Sequence, residues 1–135
     1  GVGNNSGYVY TSKWGDARAN IAVVRLSEMY LTRAEANFES GAAQVGPNTP
    51  TDDINVVRHR AGLVDLAGPV DQATIRQERY VELCWEGFRL HDLRRWKLDI
   101  MSGMAYDAPE LVLPIPHREM IVNTLLVQNP GYIEE

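Results

Sequence analysis

The stretch from Thr74 to Lys97 constrains this chain more than any other part of it. Glu78, Glu82 and Glu86 stand four residues apart there, which puts three carboxylates on one stripe of a helix. Val81, Cys84, Trp85 and Phe88 supply an apolar stripe beside them. The pattern predicts a helix up to Glu86 with Gly87 as its stop, since glycine readily takes the left-handed conformation that ends helices. A second short helix then runs through Asp92 and Trp96, with Leu90, Leu93 and Trp96 on its buried side. The first helix is acidic, and Arg89, Arg94 and Arg95 make the second basic. Charges held beside a core must be paired, and guanidinium groups suit carboxylates. Glu82, Glu86, Arg89 and Arg95 are therefore expected in one mostly buried ionic network, flanked by Trp85, Phe88 and Trp96.

The remaining segments supply more helices. A helix over 25–40 carries Leu26, Met29, Tyr30, Ala34 and Phe38 on one face and ends at Gly41. Thr51 caps the next helix, with Asp52 and Asp53 at its positive end and Arg58, His59 and Arg60 at its negative end. Ile54, Val57 and Ala61 form its buried stripe, and Gly62 stops it. Packed antiparallel, the two make one tetratricopeptide-like hairpin, with Leu26, Tyr30, Ala34 and Phe38 against Ile54, Val57 and Ala61. Ile21–Val24 reads as extended and buried, Tyr8–Thr11 as a short strand or extended arm, and Lys13–Asp16 as a turn. Asp71 or Thr74 caps the organising helix, Gln77 standing in capping-box position to Thr74. Beyond it, 99–109 is irregular, and Pro114 and Pro116 hold 111–116 extended but outside any central strand. His117–Val122 can form a turn or two of helix. With 135 residues, the chain is read as a single domain over 1–135, mainly α, with short extended segments and long loops.

Several chemistries find no support. A net charge of −5 argues against a general polyanion binder, and Asp92 and the glutamate stripe neutralise the basic run Arg89, Arg94, Arg95, Lys97. The single cysteine, Cys84, excludes an intrachain disulfide and reads as a small hydrophobe. Helical di-iron sites need Glu-x-x-His, but Glu28, Glu35, Glu78, Glu82 and Glu86 are followed three residues on by Leu31, Phe38, Val81, Trp85 and Arg89. There is no P-loop, no dinucleotide glycine motif and no catalytic-triad order. No enzyme, metal or cofactor is expected.

Four blocks carry a family resemblance. Glu78-Arg79, Glu82-Leu83, Glu86-Gly87, Arg89 and Asp92-Leu93-Arg94-Arg95-Trp96 resemble the hallmark of SusD/RagB proteins, nutrient- or glycan-binding lipoproteins of the Bacteroidota outer membrane. Arg25-Leu26-Ser27-Glu28-Met29-Tyr30-Leu31 with Ala34-Glu35-Ala36 is similar to a second family pattern. Asp53-Ile54-Asn55, Arg58 and Arg60-Ala61-Gly62-Leu63 resemble a third, and Asn123 with Leu125–Tyr132 resembles the family terminus.

The resemblance implies the C-terminal region of a SusD-like protein, its lipid anchor and targeting segment lying upstream of the opening Gly-Val-Gly-Asn-Asn-Ser-Gly. It implies non-enzymatic capture of an oligosaccharide or other nutrient at the cell surface, and delivery to a SusC-like TonB-dependent transporter. A helical protein–protein scaffold without glycan specificity is the competing expectation. The hallmark residues, Glu78, Arg79, Glu82, Glu86, Arg89, Asp92, Arg95 and Trp96, are expected to be structural. Sugar recognition needs exposed aromatic faces ringed by polar groups. Tyr30, Phe38, Tyr80, Trp85, Phe88 and Trp96 have spacing suited to a core, which leaves Tyr8, Tyr10, Trp14 and Tyr106 as platforms, Trp14 foremost. The family draws its glycan site mainly from the repeat-bearing half, so binding by this chain alone is expected to be weak.

Overall fold

The computed structural model describes residues 2–5, 8–18, 20–41 and 44–132, and for 2–5 and 8–10 the backbone course. The chain divides into two compact units, Gly1–Phe88 and Arg89–Glu135. It is mainly α, as its periodicities require.

In the first unit, β1 (Val2–Asn5) pairs antiparallel with β2 (Tyr8–Thr11), Val2 opposite Thr11 and Asn5 opposite Tyr8. Three helices follow: α1 (Leu26–Ser40), α2 (Pro50–Arg60) and α3 (Gln72–Glu82). α1 packs against both α2 and α3. Their shared core is Leu31 and Ala34 from α1, Ile54 and Val57 from α2, and Ile75 from α3, with Tyr30, Leu66 and Val70 partly buried around it.

The expected hairpin of α1 and α2 is present, but its α1 face is turned. Ser27, Leu31, Ala34 and Glu35 are the buried positions, while Leu26, Met29 and Phe38 are exposed. α1 shares its core with two partners, α2 and α3, and together they draw the buried stripe away from the most apolar one. Ala61 is likewise exposed, because α2 has ended at Arg60. The run Ile21–Val24 is extended but not buried: Ile21 is 73% and Val23 87% exposed.

Helix ends are set by side chains. Thr49, rather than Thr51, caps α2: its hydroxyl accepts from the Asp52 amide at 3.2 Å, and the Asp52 carboxylate accepts from the Thr49 N–H at 2.9 Å. This capping box encloses Pro50 at the first helical position, where its missing N–H costs nothing. The Thr49 hydroxyl and amide hold the Asp52 carboxyl below its ordinary range. Asp71 caps α3, accepting from the Thr74 N–H at 2.7 Å.

The long linker before α2 is held by polar clamps. The Asn37 amide brackets Val45, donating to its carbonyl and accepting from its N–H. Arg33 makes a bidentate pair with the fully buried Asp53, at 2.8 and 2.7 Å, and Asn48 adds a third donor. Gly46 passes close over that guanidinium with φ 82; a Cβ there would stand 2.9 Å from Arg33 Nη1. The loop after α2 is bracketed in the same way by Asn55 on Leu66.

α4 (Phe88–Arg95) opens in the first unit and continues into the second, burying Asp92 and Leu93. Leu90 is exposed and Trp96 half-buried. A 3-10 turn (Pro109–Leu111), an extended run over 112–116 and α5 (His117–Val122) complete the second unit. Among the described residues the extended run has no strand paired with it. Instead Gln128 accepts from the Ile115 N–H at 2.8 Å and donates to its carbonyl at 2.9 Å. Asn129 donates to the Leu113 carbonyl and Tyr132 to the Val112 carbonyl, each at 2.7 Å.

Candidate functional site

The organising helix ends one turn earlier than its pattern predicts. α3 stops at Glu82, and 83–87 is a turn. Trp85 there has φ 67, a conformation rare for a bulky residue, and is 64% exposed. It is not part of a buried stripe. Val81 and Tyr80 are also exposed, and Cys84 is only half-buried.

A helix end leaves its last carbonyls without intrahelical partners. Here a strap from the other end of the unit supplies them. Lys13 Nζ donates to the carbonyls of Glu82 and Cys84, both at 2.8 Å, and to Glu86 Oε1 at 2.7 Å. Those three bonds use the whole donor capacity of an ammonium group. Trp14 Nε1 donates to the Trp85 carbonyl at 3.0 Å. Arg25 forks onto Glu86 at 3.0 and 2.8 Å, reaches Glu82 Oε1 at 2.9 Å, and donates to the Glu82 carbonyl at 3.2 Å. Arg60 from α2 closes on both Glu82 oxygens, at 2.8 and 2.9 Å.

Burial alone would raise the Glu86 carboxyl. The hydrogen bonds from Lys13 and Arg25 outweigh it and hold the group below its ordinary range. Burial likewise works against the Arg25 charge, and the bonds to Glu86 and Glu82 more than restore it, so its pKa rises.

The hallmark residues thus divide. Glu82 and Glu86 meet Lys13, Arg25 and Arg60, while Glu78 pairs with Arg58. Arg79 is buried, donates to Thr32 Oγ1 and lies over the Phe88 ring. Arg95 pairs with Asp92 at 2.9 Å and lies over Trp96, and Arg89 is exposed at the start of α4. Sequence reasoning missed Lys13, Arg25 and Arg60 as partners. Their partners lie 22 to 73 residues away, beyond any helical spacing.

Beside this network lies a cleft of about 460 Å³, wholly within the first unit. Trp14, half-exposed, stands at it, together with Asn20, Glu28 and the apolar side chains of Ile21 and Val23. Of the other expected platforms, the side chains of Tyr8 and Tyr10 lie outside the described residues, and Tyr106 is half-buried in a turn of the second unit. Among the described residues no cluster of three His, Cys, Asp or Glu could hold a metal ion, and no helix is long and apolar enough to cross a membrane.

Residues 3–111, which include the strap, the hairpin and the glutamate turn, match the model of the SusD family. The chain belongs to that family. It is 33% identical over 125 residues to the Starch-binding protein SusD of Bacteroides thetaiotaomicron, an alignment taking in 84% of this chain. The chain spans 22% of that relative's length. No solved structure matches it. In this SusD-family chain the hallmark glutamates at 82 and 86 join three segments, the strap, α2 and the turn after α3.

Proposed function

We propose that this chain serves a non-enzymatic glycan- or nutrient-binding protein of the outer membrane, one that hands its ligand to a SusC-like TonB-dependent transporter. The observation that carries this reading is the match to the SusD family over residues 3–111, with a starch-binding relative aligned across most of the chain. The ionic network has the character of scaffolding: Lys13, Arg25 and the Glu82 and Glu86 carboxylates are taken up by one another and by backbone carbonyls. Trp14 is the foremost ligand-contacting candidate of this chain, ahead of Tyr10 and Tyr106. Surface localisation through a lipid anchor belongs to the same proposal.

Calorimetry with starch oligosaccharides tests it, run on this chain and on a SusD-length protein that contains it. Tight binding by the longer protein and weak binding by this chain are expected. A longer protein that binds no glycan would leave the scaffold reading standing. That reading draws on the exposed apolar run Ile21, Val23, Val24 and Leu26, a surface suited to a protein partner.

A further inference from the structure

We infer that the cleft beside Trp14 is a subsite for a single neutral pyranose ring, contacted by Trp14, Asn20, Glu28 and Arg60. The inference rests on the glycan-binding reading above and deepens it.

Shape comes first. The cleft's 460 Å³ falls within the range of about 300–1,000 Å³ usual for small-molecule sites. Charge then narrows the ligand. Lys13, Arg25 and Arg60 line the cleft against Glu28, Glu82 and Glu86, three cations facing three carboxylates. Glu82 and Glu86 already hold all three cations. An anionic ligand could reach Lys13 or Arg25 only by displacing one of these pairs, at the cost of leaving its partner uncompensated, and at Arg60 it would meet the Glu28 carboxylate lining the same cleft. A neutral ligand displaces nothing.

The polar groups that remain define its chemistry. Among the described residues, the Glu28 carboxylate and the Asn20 side-chain amide line the cleft without a hydrogen bond or ion pair. Arg60 bonds Glu82 through Nη2, which leaves Nε and Nη1 as donors on a largely exposed side chain. A carboxylate acceptor, an amide that both donates and accepts, and guanidinium donors are what adjacent hydroxyl groups need. The aromatic partner is of the matching kind. The Trp14 N–H is spent on the Trp85 carbonyl, so the exposed part of the indole offers π surface, against which the C–H face of a sugar ring packs. One ring touching so few groups should bind in the millimolar range, consistent with weak binding by the chain alone.

The test is a titration of the isotope-labelled 135-residue chain, following its three indole N–H signals and the Asn20 side-chain amide by NMR. The probes are maltoheptaose, cellopentaose and mannopentaose, with trigalacturonate as the anionic control. At least one neutral sugar should move the Trp14 and Asn20 signals with a millimolar Kd, while trigalacturonate moves neither. Glu28→Ala and Asn20→Ala should each weaken that response at least threefold. Neither side chain supports a hydrogen bond of the fold, so these variants stay informative even if Trp14→Ala fails to fold.

Neutral sugars that leave Trp14 and Asn20 unmoved, tighter binding of trigalacturonate, or an unchanged response in Glu28→Ala and Asn20→Ala would each overturn the subsite. The same two substitutions in the SusD-length protein separate the failures. Glycan binding that persists there without loss in the variants sinks only the subsite, whereas a longer protein that binds no glycan sinks the reading beneath it.

Discussion

The two units of this chain solve the same backbone problem with different means. Gly1–Phe88 has a fully buried apolar centre in Leu31, Ala34, Ile54 and Ile75, and its polar clamps sit around that centre. In Arg89–Glu135, Leu93 is the one buried hydrophobic among the described residues. Val122, Leu125 and Val127 stand exposed there. Order in its extended run comes from Gln128, Asn129 and Tyr132, whose side chains bond the backbone as a neighbouring strand would. Pro114 and Pro116 lack the N–H groups a ladder needs, so side-chain partners that bond selected groups fit where a strand could not. The difference teaches that hydrogen bonds can define a conformation, while apolar burial supplies most of the stability behind it.

The sharpest test of this contrast is a pair of truncations. Ile54→Ala should destabilise the first unit by about 2–5 kcal/mol in chemical denaturation, because it empties a fully buried site. Leu126→Ala, at a half-buried site of the second unit, should cost less than about 1 kcal/mol. Equal costs would break the comparison.

Next in size is the ionic clamp. Glu86→Ala should cost about 2–4 kcal/mol, below a fully buried pair because Arg25 and Lys13 keep some contact with water. Its pH dependence has a definite sign. The Glu86 carboxyl is depressed in the folded chain, so its stabilisation is complete above the unfolded value of about 4.3 and is lost as pH falls through the folded one. The stability gap between the wild type and Glu86→Gln should therefore shrink in acid. A gap that is constant from neutral pH into that range would remove Glu86 as an acid-sensitive element.

Ala34→Trp probes the helix contact from the opposite direction. Overpacking a fully buried alanine between α1 and its neighbours should destabilise by about 1–3 kcal/mol, read as a lowered Tm. A variant as stable as the parent would mean that the contact is looser than its burial implies.

A smaller effect than at Ala34 is expected from the side-chain bonds of the second unit. Gln128→Ala removes both bonds to Ile115 and should cost about 1–2 kcal/mol. Amide exchange at Ile115 should quicken, while exchange at Leu31 and Ile75 stays unchanged. Faster exchange in the first unit as well would show that the two units share stability.

Much of the architecture was legible in the order of residues. Helical periodicity, the glycines at 41 and 62, the paired prolines at 114 and 116, and Asp71 ahead of its helix place the elements close to where they stand. These are local effects, decided within a turn or two of backbone. The hallmark blocks pointed to the SusD family for a related reason, since a family pattern is also read along the chain. Other features needed the tertiary structure. Which face of α1 is buried depends on α3 as well as α2, and periodicity along α1 cannot say how many neighbours it has. The end of α3 at Glu82 depends on Lys13, Trp14 and Arg25 arriving to take up carbonyl bonds that further helix would otherwise have satisfied. The candidate cleft arises in the same way, because Asn20, Glu28 and Arg60 become neighbours of Trp14 only once the strap and α2 close on the glutamate turn. Helix spacing is a property of the chain, whereas the partner of a charge is whatever the fold brings within about 4 Å of it.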